Sequence, residues 1–508
     1  MRSGPKPLPA NRDRATVVVY AAMVAVLAGL LAVQTLQEQF STDVYVHLSV
    51  FRELSVNPFD PQNPFVSAPD PTFYFSPYTV GLGMLGWVSG AASVQLLQIG
   101  AAGNLTLLAI GLWLFSRSVS PYRWTPHLTL FFSLLAWGIG SWRWSGYWGL
   151  NSIGFGLGYP SMFASGLALI TLAGLCRFFS TRSRWLIVGV GVATAVIAVT
   201  HPFTAIWFSI AAVAIVASQS RAVLRQTARA LLTAGTLGVG LALLWPYYSV
   251  LTLVPSASGS SDMHAAHAAL YRNVLQRSFL LLPGAVAMVV RVRRNARDPL
   301  VLMFVGGVSL YVAGYVTESY GLGRVTPLIA LSAHVAMADI AAGWLSNGSR
   351  RRIAAVWVTT AAIGMVGLLG SSAGLIRMVP RALLPASVAD DDRLIPMVEP
   401  FASLEEVLAP TDVAFASGRM RKVVPAVQGR VVVPGYLTPL LSDQSARDRA
   451  DFVFFSEFSS MADREAVIAR WGATHVVVEP ADLSNYPWLR RSYRVIVETD
   501  SYVVVSLG

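Results

Sequence analysis

Apolar runs recur along three quarters of this chain, near 15–36, 76–94, 95–116, 125–140, 160–178, 185–200, 202–219, 230–251, 275–290, 299–317, 323–345 and 353–376. A helix needs roughly 20 apolar residues to cross the hydrocarbon core of a bilayer. Runs of that length, in that number, leave few options besides a polytopic bundle of membrane helices. The composition agrees: 54% of residues are hydrophobic and 13% charged, which is too apolar for a water-soluble globule. The net charge of +11 does not call for nucleic acid. Arginine supplies nearly all of it and sits in short clusters between apolar runs.

Those clusters set an expected orientation. "CRFFSTRSR", "SRAVLRQTAR", "RVRRNARD" and "SNGSRRR" read as cytoplasmic loops, because basic residues are held on that side. The basic, proline-rich start before the run at 15–36 predicts a retained first span with a cytoplasmic N-terminus. The segments "FSTDVYVHL", "THPF", "VPSASGSSDMHAAHAALYR" and "VTESYGLGR" then face outward, and so does the C-terminal part. An inside start and an outside end require an odd number of spans, whereas the runs number twelve. Eleven or thirteen spans are expected, with 76–94 partial or re-entrant, or an extra span within "SWRWSGYWGLNSIGFGLGYP".

Acidic residues divide the chain. Ten of the 27 lie in residues 1–385 and seventeen in 386–508. The expected organisation is a membrane domain over 1–385, with a first outer loop at 37–75, and a water-soluble α/β domain over 386–508. The proline-rich stretch "RMVPRALLPASVADDDR" marks the boundary. In the second part "TDVAFAS", "GRVVVPG", "DFVFF", "THVVVEP", "YRVIVETD" and "SYVVVSLG" read as strands, and "SSMADREAVIARWGA" as a helix with a Ser N-cap and an apolar face through Val467, Ile468 and Trp471. Asp500 and Ser501 join the last two strands as a hairpin. No glycine-rich phosphate loop opens a helix there. The single Cys176 excludes an intramolecular disulfide and a cysteine metal site, and reads as a small buried residue.

Seven of the ten acidic residues of the membrane part fall in expected outer loops, five of them in 37–75: Glu38, Asp43, Glu53, Asp60 and Asp70. Ionisable groups at a bilayer edge are candidate functional groups. That loop, with its "NPFDPQNPF" and "PDPTFYFSPY", is expected to lie on the membrane as a short amphipathic helix followed by turns. Asp43 and His47 are four residues apart, on one helical face. A carboxylate held by an imidazole can take a proton from a hydroxyl. The same spacing also suits an N-cap with a polar i,i+4 pair, and spacing alone favours that alternative.

The order of features resembles the GT-C superfamily of membrane glycosyltransferases. The resemblance rests on many spans, an acidic residue just after span one in "STDVYVHL", the segments "GYPSMFASGLAL", "THPFT" and "GLGRVTPL", and an extracytoplasmic C-terminal domain. It implies a GT-C-like bundle in a bacterial inner membrane and a sugar donor carried on a polyprenyl phosphate. The acceptor would be an envelope glycan, lipid or protein, and Asp43 the general base with His47 positioning it. On that resemblance Arg324, Arg272 and His264 are candidates for the donor phosphate, and Glu318, Tyr320 and Glu53 for sugar or acceptor hydroxyls.

Each has a plainer alternative: an interfacial anchor for Arg324 and Arg143, a solvated loop for Glu318 and Tyr320, an exposed pair for His264 and His267, and a helix start for His201. A divalent cation is the one cofactor the residues leave open. Asp262, His264 and His267 are the one set that could hold a divalent cation, and they lack a fourth ligand. A transporter or flippase is the rival from another class, with Asp339 inside a span as its one favourable residue. A non-catalytic scaffold for envelope assembly is the other.

Overall fold

The computed structural model describes residues 10–252, 261–389, 391 and 394–508; side chains are described from residue 14 onward, 261–264 excepted. The chain divides into two compact units. One comprises residues 1–39, 100–245 and 257–391, the other 40–99, 246–256 and 392–508. Residues 40–99, most of the expected first outer loop together with the helix that follows it, therefore group with the C-terminal region rather than with α1.

The first unit is a helical bundle. It contains α1 (Ala10–Leu36), most of α4 (Ser93–Val119), α5 (Thr125–Leu135), α6 (Pro160–Thr181), α7 (Arg184–Thr200), α8 (Pro202–Ala217) and α9 (Arg221–Leu243). After these come α10 (Leu282–Arg294), α11 (Pro299–Val316), α12 (Thr326–Asn347) and α13 (Arg350–Gly370). Among the described residues seven helices are long and apolar enough to cross a membrane, and α5, α7 and α8 are shorter apolar helices. The chain is a multi-pass membrane protein.

The helices meet through small residues. A Cβ on Gly111 of α4 would stand 2.8 Å from the carbonyl oxygen of Gly166 on α6. Only glycine lets those two backbones approach so closely, the usual device where lipid supplies no hydrophobic drive between helices.

Asp339 is accounted for inside this bundle. Its carboxylate accepts from Arg291 of α10 and from the hydroxyl of Ser120 at 2.6 Å. Arg291 also holds Asp298, at the start of α11, through two guanidinium nitrogens. Both members of the Arg291–Asp339 pair are buried. A buried charge needs a partner of this kind, so the acid is a clamp between helices. The structure thus supplies a reason for Asp339 that does not involve transport. "SWRWSGYWGLNSIGFGLGYP" contains no extra span: it is a turn-rich connection with one 3-10 turn, Ile153–Phe155.

The second unit begins with α2 (Val44–Val56). Ten of its thirteen residues are buried, so it is enclosed rather than amphipathic. The cover comes from far along the chain. Tyr45 donates to the carbonyl of Met397 at 2.6 Å, and Arg52 to that of Gly429 at 2.8 Å. Next comes α3 (Pro77–Ser89), started by a Ser76–Thr79 capping box. Its 13 residues extend about 20 Å, too little to span the roughly 30 Å core alone.

The C-terminal region carries one five-stranded sheet in the order β2-β1-β3-β5-β4. The strands are β1 (Val413–Ala416), β2 (Arg430–Val431), β3 (His475–Val478), β4 (Arg494–Glu498) and β5 (Val503–Ser506). β1 runs parallel to β2 and β3, whereas β5 is antiparallel to β3 and to β4, its hairpin partner. Helices α14 (Met420–Val427), α15 (Gln444–Phe455) and α16 (Met461–Trp471) complete it.

"DFVFF" is the misread strand, because it forms the last turns of α15. Arg447, Ala450 and Phe454 are buried at helical spacing while Phe452 is exposed, a period a strand cannot give. α16 is as expected: Ser460 and Asp463 form its capping box, and Val467, Ile468 and Trp471 pack on the sheet core.

Candidate active site

The candidate residues fall into two groups, one in each unit. In the second unit Asp43 holds the N-cap position of α2, but its side chain makes no capping bond to the first turn. The residue is exposed. Its backbone is helical (φ −70°, ψ −8°) rather than extended, which takes the carboxylate out of capping geometry. The preceding carbonyl, that of Thr42, accepts from the hydroxyl of Tyr436 at 2.7 Å. Tyr74 feels Asp43 directly: burial, and then the negative charge of Asp43, push its phenol pKa up. Tyr74 packs edge-on to Phe65 at 5.7 Å, and Phe65 lies 6.0 Å from Tyr436. The carboxylate thus stands at the head of a buried helix beside an aromatic wall.

His47 lies one turn further in and is buried. Burial drives its pKa down to about 3, so the ring is neutral at ordinary pH. A charged imidazole partner for Asp43 is therefore not available, and what remains open to His47 is a neutral, positioning contact. Glu53 lies further along α2. Its carboxylate pairs with Arg430 and accepts from the backbone N–H of Gln62 at 2.8 Å. With both oxygens so engaged, Glu53 ties α2 to β2.

The first unit gathers the other set around Arg324, on a 3-10 turn spanning Tyr320–Val325. The guanidinium lies between two aromatic faces, 5.0 Å from Trp144 and 5.1 Å from Phe203. One nitrogen donates to the carbonyl of Ser145 at 3.1 Å and stands 3.4 Å from Nε2 of His201. His201 caps α8: its Nδ1 accepts from the backbone N–H of Thr204 at 3.2 Å. The same Nδ1 lies 2.8 Å from the hydroxyl of Thr204, and which ring nitrogen carries the proton follows from the tautomer. The guanidinium and the imidazole thus stand side by side. Tyr147 closes the same recess, its pKa pushed up to about 12 by burial although the charge of Arg324 opposes the rise. His267 packs against both Trp144 and Phe203.

The remaining candidates separate. Glu318 is exposed with a left-handed backbone, φ 56°. Tyr320 packs 5.5 Å from Tyr271, which stacks on Tyr311. A Cβ on Gly314 would meet the Tyr271 hydroxyl at 2.4 Å, so that glycine makes room for the tyrosine cluster. Arg272 is exposed beyond this cluster, and Arg143 is exposed over Phe155. The side chains of His264 and Asp262 lie outside the described residues. Among the described residues no three His, Cys, Asp or Glu side chains stand close enough to hold a metal ion.

Sequence reasoning missed Trp144, Ser145, Tyr147 and Phe203 as a set. The one signal for them was the density of aromatic and small polar residues in "SWRWSGYWGL", next to the proline that follows His201.

No protein-family profile and no curated protein matches the chain by sequence. Solved structures do match by shape. The arabinofuranosyltransferase AftD from Mycobacteria aligns over 96% of this chain with 15% identity and a TM-score of 0.53. The archaeal oligosaccharyltransferase AglB from Archaeoglobus fulgidus, solved with an inhibitory peptide and a dolichol-phosphate, aligns over 95% with 11% identity and a TM-score of 0.50. The chain spans 40% of the length of AftD and 73% of that of AglB. Its fold, an apolar helical bundle with a small C-terminal sheet, is similar to that of these two solved structures.

Proposed function

We propose that this protein is a membrane glycosyltransferase that moves one sugar from a polyprenyl phosphate to a hydroxyl of an envelope glycan, lipid or protein on the outer face. In the reaction Asp43 takes the proton of the acceptor hydroxyl as its oxygen bonds the anomeric carbon. The bond from that carbon to the phosphate oxygen breaks, and the polyprenyl phosphate leaves with the electron pair. Arg324 would donate to the phosphate through its guanidinium, with the ring of His201 beside it. Trp144 and Phe203 hold the guanidinium in place and exclude water around it. His47, a neutral group in the first turn of α2, positions Asp43. Glu318 and Tyr320 remain proposed contacts for sugar or acceptor hydroxyls, and Arg272 and His264 for the phosphate.

The observation that supports this best is the exposed Asp43 carboxylate, released from capping, on a chain with the GT-C fold. Sugar transfer by purified Asp43→Asn protein, with a radiolabelled polyprenyl-phosphate sugar, is the deciding measurement. Wild-type turnover in that variant would refute the role of Asp43.

A further inference from the structure

Apart from these groups, the bundle carries an open apolar groove of about 510 Å³ between α10, α12 and α13, with Phe132 of α5 at its floor. That volume is in the range of ligand sites, roughly 300–1,000 Å³. Apart from the indole of Trp344, its polar side chains are Thr359 and Thr360. Along α10 the wall runs through Leu282, Val286 and Val290, and the helix positions that continue this face are Arg293 and Arg294. Along α13 the wall runs through Ile363, Thr359 and Ala355, and one turn beyond lie Arg351 and Arg352. All four arginines are exposed. α10 and α12 end on the same side, since Arg291 near the end of α10 reaches Asp339 in the last half of α12. Trp344, 41% exposed, marks that level on α12. An apolar slot therefore rises into the bilayer from a mouth ringed by positive charge and an interfacial tryptophan.

We propose that this groove binds one anionic phospholipid of the leaflet at the arginine-rich end, its acyl chain in the slot and its phosphate among Arg294, Arg351 and Arg352. Charge complementarity selects this occupant: lysines and arginines near a membrane surface favour anionic lipids, and a zwitterionic headgroup gains little from them. The groove shares no residue with the Arg324 recess, so the assignment stands whether or not the protein transfers sugars.

The test is native mass spectrometry of the full chain released from bilayers containing equal parts dioleoyl phosphatidylglycerol and dioleoyl phosphatidylcholine. Wild type should retain phosphatidylglycerol over phosphatidylcholine by roughly tenfold. Arg351→Gln with Arg352→Gln should erase the preference. Val286→Trp or Thr359→Trp, both at exposed positions that leave the core packing alone, should lower retention of either lipid. Equal retention of the two lipids by wild type would overturn the proposal. So would phosphatidylglycerol retention unchanged by the tryptophans, or its displacement from the slot by added undecaprenyl phosphate.

Discussion

Arg430 donates a charge-assisted hydrogen bond to Glu53, joining β2 to α2 across 377 residues of chain. Arg52, the neighbour of Glu53, reaches the carbonyl of Gly429 on the same stretch. The first loop and the C-terminal sheet are thereby built as one unit. Removing one member of a largely buried pair leaves the other charge without compensation and costs roughly 3–5 kcal/mol. Glu53→Gln and Arg430→Gln should each lower the thermal stability of the purified protein, and the double variant should lose less than the sum. A Glu53→Gln protein that melts like wild type yet fails in sugar transfer would return Glu53 to the chemistry.

How much of this was legible in the sequence depends on how far the partners lie apart. β3, β4 and β5 are short runs rich in valine and isoleucine, β1 carries Val413 and Phe415, and the capping box of α16 is local, so these could be read directly. "DFVFF" could not, because its helical period only emerges when Arg447 and Ala450 are included. α2 was readable as a helix, but its enclosure by Met397, Gly429 and Arg430 was not. Asp43 was found by its position after the first span. The partners of Arg324 come from residues 144–147 and 201–203, which no local pattern links to residue 324.

His47 gives a pH signature. Its pKa is about 3 in the folded protein and near 6.5 in an unfolded chain. Between those values the unfolded state takes up a proton that the folded state refuses. Stability should therefore be unaffected by this residue above about pH 6.5 and fall as the pH drops through the window. Melting temperatures measured from about pH 4 to 8 should decline on the acid side, and less so in His47→Phe. Parallel curves for the two proteins would mean that the imidazole is not held neutral.

Orientation is the premise of the outer-face reaction. With Cys176→Ala as background, a cysteine placed at Gln444 should react with an impermeant maleimide on intact cells, and one at Asn295 should react only after lysis. Gln444 lies at the start of α15, and Asn295 follows the arginine-rich end of α10. The reverse labelling pattern would turn Asp43 toward the wrong leaflet and end the proposed mechanism.

Arg324 is a charge held between Trp144 and Phe203, with the Nε2 of His201 facing it. If it binds the donor phosphate, Arg324→Ala should weaken binding of the polyprenyl-phosphate sugar by roughly 10–100-fold, the scale of a charge-assisted hydrogen bond. Acceptor affinity should change little. Arg324→Lys should recover only part of the loss, since a lysine cannot stack on two rings. Donor affinity equal to wild type in Arg324→Ala would assign the residue to the packing of its recess.

Asp43→Asn separates the two readings of the exposed acid at the N-cap position of α2. Asparagine caps helices about as well as aspartate, so a capping role predicts little change. The structure already argues against capping, since the Asp43 side chain makes no bond to the first turn. As the general base, Asp43 should be worth roughly 10²–10⁴ in turnover. Because the side chain is exposed, the variant should fold and bind donor normally, and the loss should fall on kcat rather than KM. His47→Ala should show a smaller loss in kcat, and a glutamine there should restore part of it if a neutral contact orients the carboxylate. Loss of the negative charge beside Tyr74 should also lower the phenol's pKa in Asp43→Asn, readable by ultraviolet titration. A well-folded Asp43→Asn enzyme with that spectral change and wild-type turnover would remove Asp43 from the reaction.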